Sequence, residues 1–221
     1  MKCVPSPNFN ARAANIALEY IVLHYTGMRS AAEAQARLCD PAAEVSAHYM
    51  IDEDGSITRL VDEKHRAWHA GRSFWRGIAD VNSASVGIEI VNPGHEFGYR
   101  AFPAAQIEAL QSLLHDIIAR HGMDPATCLL AHSDIAPARK TDPGELFPWA
   151  KLAQDGLGLW PQPDNSSEGD ATALLAAIGY DVTDPVAALT AFQRRFYPEH
   201  MTGTADAGTV ARLCAVKRVL G

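Results

Sequence analysis

No stretch of this chain approaches the roughly 20 consecutive apolar residues that a membrane-spanning helix needs. The first eight residues also lack the apolar core of a secretory signal. We therefore expect no membrane span and a cytoplasmic protein. A periplasmic or outer-membrane-associated location is the alternative if a signal segment was removed.

An excess of basic residues is absent as well. The chain has 19 Lys and Arg against 26 Asp and Glu, which gives a formal net charge of −7. Proteins that bind nucleic acids normally present a basic face. The charge balance therefore excludes this class, and we expect no nucleic-acid partner.

Closely spaced cysteine pairs are also missing. Cys3, Cys39, Cys128 and Cys214 are scattered along the sequence. Their even number is compatible with disulfides, and reduced thiols in a cytosolic protein explain them equally well.

Strand patterns are present in the first 160 residues. The chain is 48% hydrophobic, enough for a sizeable core. β-Branched, aromatic and apolar runs predict buried strands, and residues 52–55 predict a hairpin turn between two of them. The predicted strands cover residues 20–25, 47–51, 56–61, 85–92 and 129–132.

Helix patterns alternate with these strands. Residues 30–33 have capping-box form and start a helix that runs to about Leu38. Pro103 and Gly122 bracket an apolar i, i+3, i+4 pattern, with Pro103 at the first helical position. A brief helix is predicted over 147–154. We therefore expect an α/β fold, with a central mixed sheet flanked by helices.

The composition changes at residues 161–170, which are polar and rich in Pro, Ser and Gly, as is typical of a linker. The net charge is −8 before residue 171 and +1 after it. Three helices are predicted beyond the linker, over 171–178, 185–196 and 206–220. We predict a first domain over 1–160, a linker over 161–170 and a small helical domain over 171–221.

Candidate metal ligands lie at the ends of two predicted strands and in the loop after the second. His24 ends one strand, His132 ends another, and Asp142 follows in a loop that contains Pro137 and Pro143. Two imidazoles and a carboxylate leave one position of a tetrahedral zinc ion open, as in catalytic zinc sites. A lone histidine on a strand is more often part of the core, so spacing alone leaves both interpretations open.

Glu89 interrupts an apolar strand, where an isolated ionised carboxylate would be costly to bury. It is either an outward-facing residue or a general base with a raised pKa near a metal ion. Lys140 either forms a surface ion pair with Asp142 or donates a hydrogen bond to an oxyanion. Trp68 and His69 precede a glycine and suit a groove for a sugar or peptide.

Six segments, taken in order, resemble the zinc-dependent N-acetylmuramoyl-L-alanine amidases of the type-2 amidase family, which is related to the peptidoglycan recognition proteins. The resemblance covers about residues 15–155. The segments are LHYTG at 23–27, SAHY at 46–49, WHAG at 68–71, VGIEI at 86–90, AHSDIAP at 131–137 and RKTDPG at 139–144.

The resemblance implies a function for each matching residue. It implies zinc on His24, His132 and Asp142, with Glu89 as the catalytic acid and base and Lys140 as the transition-state stabiliser. Arg139 matches a position that contacts substrate in the subgroup that acts on anhydro-muropeptides. With Trp68 and His69, it is our candidate for substrate binding.

Two positions indicate a subgroup. Viral and animal relatives often have a cysteine at the third ligand position and a tyrosine just before the histidine of the second motif. Here these positions are Asp142 and Ala47, as in bacterial amidases that use the glutamate.

Residues 171–221 resemble the small three-helix peptidoglycan-binding domain. The resemblance depends on Gly179 and Tyr180, on AFQRRF at 191–196 and on the turn at 203–209. The usual Asp-Gly-x-x-Gly turn is represented only by MTGTAD at 201–206.

The resemblance implies hydrolysis of the amide between N-acetylmuramic acid, or its 1,6-anhydro form, and L-alanine of the stem peptide. Peptidoglycan fragments or muropeptides are then the partners, in wall recycling or turnover, and we expect a monomer. The alternatives are a non-catalytic peptidoglycan sensor and a zinc peptidase that acts on the stem peptide.

Overall fold

The computed structural model describes residues 1–164 and 168–221. The predicted linker at 161–170 therefore includes residues 165–167, which lie outside the described part of the chain. The described strands are β1 (Lys2–Cys3), β2 (Phe9–Ala11), β3 (Tyr20–Tyr25), β4 (Tyr49–Ile51), β5 (Ile57–Arg59), β6 (His65–Ala67), β7 (Ser85–Ile90) and β8 (Leu129–Ala131).

Six of these strands form a mixed sheet in the order β1-β5-β4-β7-β3-β8. The β4–β5 hairpin is antiparallel, and the other neighbouring pairs are parallel. The remaining strands, β2 and β6, pair as a separate antiparallel ribbon. The predicted fold class, with a central mixed sheet, is confirmed.

The described helices are α1 (Ala31–Cys39), α2 (Val81–Ala84), α3 (Gly94–Phe97), α4 (Ala104–His121), α5 (His132–Ile135), α6 (Trp149–Gln154), α7 (Ala171–Ile178), α8 (Pro185–Phe196) and α9 (Ala207–Leu220). The Ser30 side chain caps α1 by accepting from the Glu33 amide. Pro103 is the N-cap residue of α4 rather than its first helical residue, and Gly122 ends that helix at φ 62°. Among the described helices, none has the length and apolar character needed to cross a membrane.

The two faces of the sheet pack against different partners because alternate strand residues point to opposite sides. Ile21 and Leu23 of β3 belong to a large core with the apolar side of α4, which includes Leu110 and Leu114. Val22, between them in sequence, belongs to a second core that contains residues of α7, α8 and α9. The C-terminal helices therefore pack directly on the sheet, opposite α4.

The three helices predicted between 171 and 221 are present, each with an aspartate N-cap: Asp170, Asp184 and Asp206. The short segments β1, β2, β6, α2, α3 and α5 were not predicted, and His132, expected at the end of a strand, is the first residue of α5. These segments have only two to four residues each, too few for a period to emerge from the sequence. All four cysteines lie in the described residues and are free thiols.

Candidate functional site

The site lies at the carboxyl-terminal edge of three neighbouring parallel strands. His24 is the fifth residue of β3, Glu89 is the fifth residue of β7, and His132 follows β8 directly. The register places His24 opposite Glu89. Strand ends at such an edge bring residues that are distant in sequence into one crevice.

Asp142 reaches the two histidines from the loop after α5. The Ser133 amide donates to the Asp142 carbonyl at 3.0 Å, which ties this loop to the start of α5. The hydroxyl of Tyr99 also holds the loop by donating to the Pro143 carbonyl at 2.8 Å. The peptide bond between Asp142 and Pro143 is cis.

Three ligand-type atoms converge within this crevice. The Nδ1 atoms of His24 and His132 are 2.8 Å apart, and Asp142 Oδ2 lies 3.1 and 2.9 Å from them. All three residues are buried. Among the described residues, they form the group of His, Cys, Asp and Glu side chains whose ligand atoms are close enough to share one metal ion.

Hydrogen bonds behind the imidazoles set their tautomers. His132 Nε2 lies 3.1 Å from the Ala70 carbonyl, which only accepts, so Nε2–H donates and the Nδ1 lone pair faces the convergence point. Metal-ligating histidines typically hold their second nitrogen in this way.

His24 is held by a longer chain of bonds. The Ser85 hydroxyl donates to the Val81 carbonyl at 2.6 Å and accepts from His69 Nε2 at 3.4 Å. His69 Nδ1 is then the acceptor for His24 Nε2–H, at 3.1 Å. This chain leaves the Nδ1 lone pair of His24 directed at His132 and Asp142.

The electrostatics favour a neutral imidazole beside a charged carboxylate. Burial, and repulsion between the protonated forms of His24 and His132, lower the pKa of His24 to about 4; the hydrogen bond that protonated His24 donates to Asp142 opposes this. Burial alone would raise the pKa of Asp142, but the charges and hydrogen bonds of both histidines hold it below its usual range. Neutral imidazole and ionised carboxylate are the ligand forms that a metal ion requires.

Glu89 faces the same crevice. Its Oε2 atom is buried without a hydrogen-bond partner among the described residues. Burial raises the pKa of this carboxyl well above its usual range, and the Asp142 charge adds to the rise while Lys140 opposes it. A carboxyl group whose pKa is raised in this way is suited to general acid and base chemistry.

A cavity of about 520 Å³ opens over these groups. This volume is in the range of small-molecule binding sites. Each candidate named from the sequence lines it: His24, Trp68, His69, Glu89, His132, Arg139, Lys140 and Asp142.

The candidates for substrate binding are also held by protein groups. Arg139 donates to the carbonyls of Ala70 and Arg72 at 2.8 and 2.7 Å, and Trp68 Nε1 donates to Asn10 at 2.9 Å. His69, which we assigned to substrate from the sequence, is buried and bonded to His24. This contact was not predicted from the sequence. The residue that reflects it is Gly87 in β7, where a Cβ atom would lie 2.3 Å from the His69 ring.

Comparisons with known proteins agree with this geometry. A family model described as N-acetylmuramoyl-L-alanine amidase matches residues 14–145. The chain is 38% identical to the N-acetylmuramoyl-L-alanine amidase AmiD of Escherichia coli K12 over 232 residues, covering 91% of this chain and 83% of that protein.

Two solved structures extend the similarity to the whole fold. The E. coli AmiD complex with anhydro-N-acetylmuramic acid-L-Ala-D-gamma-Glu-L-Lys matches with a TM-score of 0.81 and 36% identity, covering 94% of this chain and 92% of that one. Pseudomonas aeruginosa AmpDh3 in complex with anhydromuramic pentapeptide matches with a TM-score of 0.79 and 31% identity, covering 96% of each chain.

Proposed function

Because the chain belongs to the N-acetylmuramoyl-L-alanine amidase family, we propose that it hydrolyses the amide between N-acetylmuramic acid and L-alanine of the peptidoglycan stem peptide. It is an enzyme of cell-wall recycling or turnover. The 1,6-anhydro form of the sugar is included, since both solved relatives hold an anhydromuramic peptide. The convergence of His24, His132 and Asp142 beside Glu89 carries the proposal.

Zn²⁺ is the proposed cofactor, held by His24, His132 and Asp142. Two nitrogen donors and one carboxylate oxygen match a catalytic zinc site, and both imidazoles direct a lone pair at the same point. When bound, zinc would polarise the substrate carbonyl and lower the pKa of a water molecule.

Glu89 is the proposed acid and base. Its carboxylate takes a proton from the attacking water and later delivers it to the leaving amine of L-alanine. The raised pKa supports this transfer because a proton, once accepted, is retained until the amine departs.

Lys140 is the proposed donor to the oxyanion that forms as water attacks the carbonyl. It lines the cavity with Glu89 and Asp142. Its amide and that of Arg139 both donate to the Ala136 carbonyl, at 2.9 and 3.0 Å, which fixes the turn that carries it. A fixed ammonium group in a sheltered crevice stabilises developing negative charge.

Arg139, Trp68 and His69 complete the proposed substrate site. All three line the cavity. Arg139 acts in two ways in this proposal: its guanidinium keeps the segment at 70–72 in place and its remaining N–H groups are available to substrate oxygens. His69 acts mainly through its bond to His24.

The domain organisation belongs to the same proposal. Residues 1–160 carry the catalytic groups, and residues 171–221 form the peptidoglycan-binding-like helices.

Comparing rates on soluble anhydro-muropeptides and on intact wall sacculi tests which form of substrate the enzyme prefers. The cytoplasmic location and the monomeric state stay predictions, for cell fractionation and light scattering to test.

Mass spectrometry of a defined anhydro-muropeptide tests the reaction. We expect two products, the free anhydro-sugar acid and a peptide with L-alanine at its amino terminus. A chelator should stop the reaction and added Zn²⁺ should restore it. Cleavage within the peptide would favour the peptidase alternative, and zinc binding without cleavage would favour the sensor.

A further inference from the structure

A buried ion pair joins the C-terminal helices to the segment that carries His132. Asp134 of α5 is fully buried, and its Oδ2 lies 2.5 Å from Nη1 of Arg195 in α8. The hydroxyl of Tyr180 donates to Oδ1 at 2.7 Å, and the Ala131 amide donates to Oδ2 at 2.8 Å. Both carboxylate oxygens are therefore satisfied, two of the three donors coming from beyond residue 170.

Arg195 also holds the strand before α5. Its Nη2 donates to the Leu129 carbonyl at 3.1 Å, and its guanidinium carbon lies 4.1 Å from the centre of the Trp149 ring. Leu129 and Asp134 stand on either side of His132 in the sequence. A single side chain of α8 thus fixes the backbone both before and after this ligand.

Apolar packing surrounds the pair. Leu130 and Ile135, next to the bonded residues, share a buried cluster with Leu189 and Phe192 of α8. Val22 of β3 belongs to the same cluster, two residues before His24 and on the same face of the strand. The C-terminal helices therefore cover the part of this sheet face that adjoins the metal-ligand group.

Stability alone does not explain the buried ion pair between Asp134 and Arg195. Burying two charges costs free energy that their attraction does not always recover, and apolar replacements are often as stable. Here Arg195 Nε also lacks a hydrogen-bond partner among the described residues. The ion pair instead fixes orientation, because a guanidinium group that binds two acceptors at fixed angles restricts the positions of both acceptors.

We propose that Tyr180 and Arg195 are positioning residues for the metal ligand His132, acting through Asp134 and the Leu129 carbonyl. The C-terminal helices are then part of what shapes the metal site, in addition to any contact they make with the wall. This inference depends on the proposed function, since it takes His132 as a metal ligand.

Metal affinity of the full chain measures the effect without relying on turnover. Zn²⁺ affinity is read by competition with a chromophoric chelator, and ligand geometry by the visible spectrum of the Co²⁺-loaded protein. We expect Tyr180→Phe and Arg195→Met each to weaken Zn²⁺ binding by about 10-fold. This is the lower end of the effect of substituting residues that support metal ligands without touching the metal. Arg195→Lys should restore part of the loss.

Arg212 provides the matched control. In the contacts described, its side chain bonds only within the C-terminal region: to the carbonyls of Phe196 and Gly208 and, at 3.8 Å, to the Glu199 carboxylate. It also lies over the Tyr197 ring. Arg212→Met should lower thermal stability while leaving Zn²⁺ affinity and the Co²⁺ spectrum unchanged. This variant separates positioning from general loosening of the helices.

Wild-type affinity and an unchanged Co²⁺ spectrum in Tyr180→Phe and Arg195→Met would overturn the inference, as would an equal loss in Arg212→Met. Tyr180→Phe keeps the test decisive if Arg195→Met fails to fold, because it removes one hydroxyl. If the wild type binds Zn²⁺ but does not cleave the peptide from the sugar, the proposed function is wrong. The comparison of Zn²⁺ affinities still tests whether Tyr180 and Arg195 position His132. A wild type without Zn²⁺ binding would overturn both.

Discussion

His24 and Glu89 are direct register partners on neighbouring parallel strands. The strands thereby place a metal-ligand candidate and an acid–base candidate side by side without help from any loop. Groups on paired strands are held more firmly than groups on loops, which favours reproducible geometry at the reacting atoms. Asp142 and Lys140, by contrast, depend on the turn between Ala136 and Pro143.

Replacing Glu89 with Gln should abolish proton transfer while keeping the shape of the side chain. We expect kcat to fall by about 10²–10⁴-fold, the usual contribution of a positioned acid or base. Zinc content, measured by metal analysis, should stay at the wild-type level because Glu89 is not among the converging ligand atoms. A rate near wild type in the zinc-loaded variant would remove Glu89 from the mechanism.

Replacing Asp142 with Ala should lower zinc occupancy of the purified protein. Its Oδ2 is the carboxylate oxygen of the three-atom group, and we expect affinity to fall by more than about 100-fold, beyond the effect of outer-shell changes. Asp116→Ala, at an exposed position on α4, is the matched control. Full zinc occupancy in Asp142→Ala would contradict the ligand assignment.

The parts of the site that sequence could predict are those encoded in local patterns. The β-branched run of β3 and the apolar i, i+3, i+4 pattern of α4 predicted these elements because each buries one continuous face. His24, Glu89 and His132 were named because polar residues stand out at strand ends and inside an apolar strand. The hairpin between β4 and β5 followed from its turn residues.

What sequence could not supply are contacts between distant segments. The bond between His69 and His24 forms only because the segment after β6 folds over Gly87, so the sequence offered His69 only as a candidate for substrate binding. Arg195 belongs to α8, and no role was predicted for it from the sequence. Its burial depends on Asp134, 61 residues away in the sequence.

Gly87 gives a direct test of the support behind His24. A Cβ atom at this position would lie 2.3 Å from Cγ of His69, so Gly87→Ala must displace the buried ring. We expect a loss of about 1–3 kcal/mol in unfolding free energy, as is typical of overpacking, together with weaker Zn²⁺ binding. Thermal unfolding and chelator competition measure the two effects.

The double variant Gly87→Ala with His69→Ala isolates the collision. Without the ring, the added methyl group should cost much less than in the wild-type background. Equal costs in the two backgrounds would mean that the methyl group acts elsewhere.

Glu63 should make stability depend on acid pH, away from the catalytic groups. Burial alone would raise its pKa, but hydrogen bonds from Arg120, Tyr49 and His121 outweigh this and bring the pKa to about 2. A carboxyl group whose pKa is lower in the folded than in the unfolded protein stabilises the fold at pH values above its unfolded-state pKa. This stabilisation is lost as the pH falls through the folded-state pKa. The loss should therefore occur between pH 4.5 and about 2.

Urea unfolding across this range measures the effect in Glu63→Gln. Over this range, the unfolding free energy of the wild type should fall by about 1 kcal/mol more than that of the variant. This figure is reduced for the solvent screening of a partly hydrated group. Glu108→Gln, exposed on α4, should follow the wild-type pH dependence. Parallel curves for the wild type and Glu63→Gln would exclude Glu63 as the source.

Lys140→Met should remove the proposed oxyanion donor while keeping the length and apolar stem of the side chain. Because the interaction forms only as negative charge develops, we expect kcat to fall by about 10²–10³-fold with little change in KM. Lys151→Met, at an exposed position on α6, controls for the loss of one positive charge. If Lys140 only pairs with Asp142, the variant should instead lose metal affinity and keep kcat at saturating Zn²⁺, so the two measurements together decide between the roles.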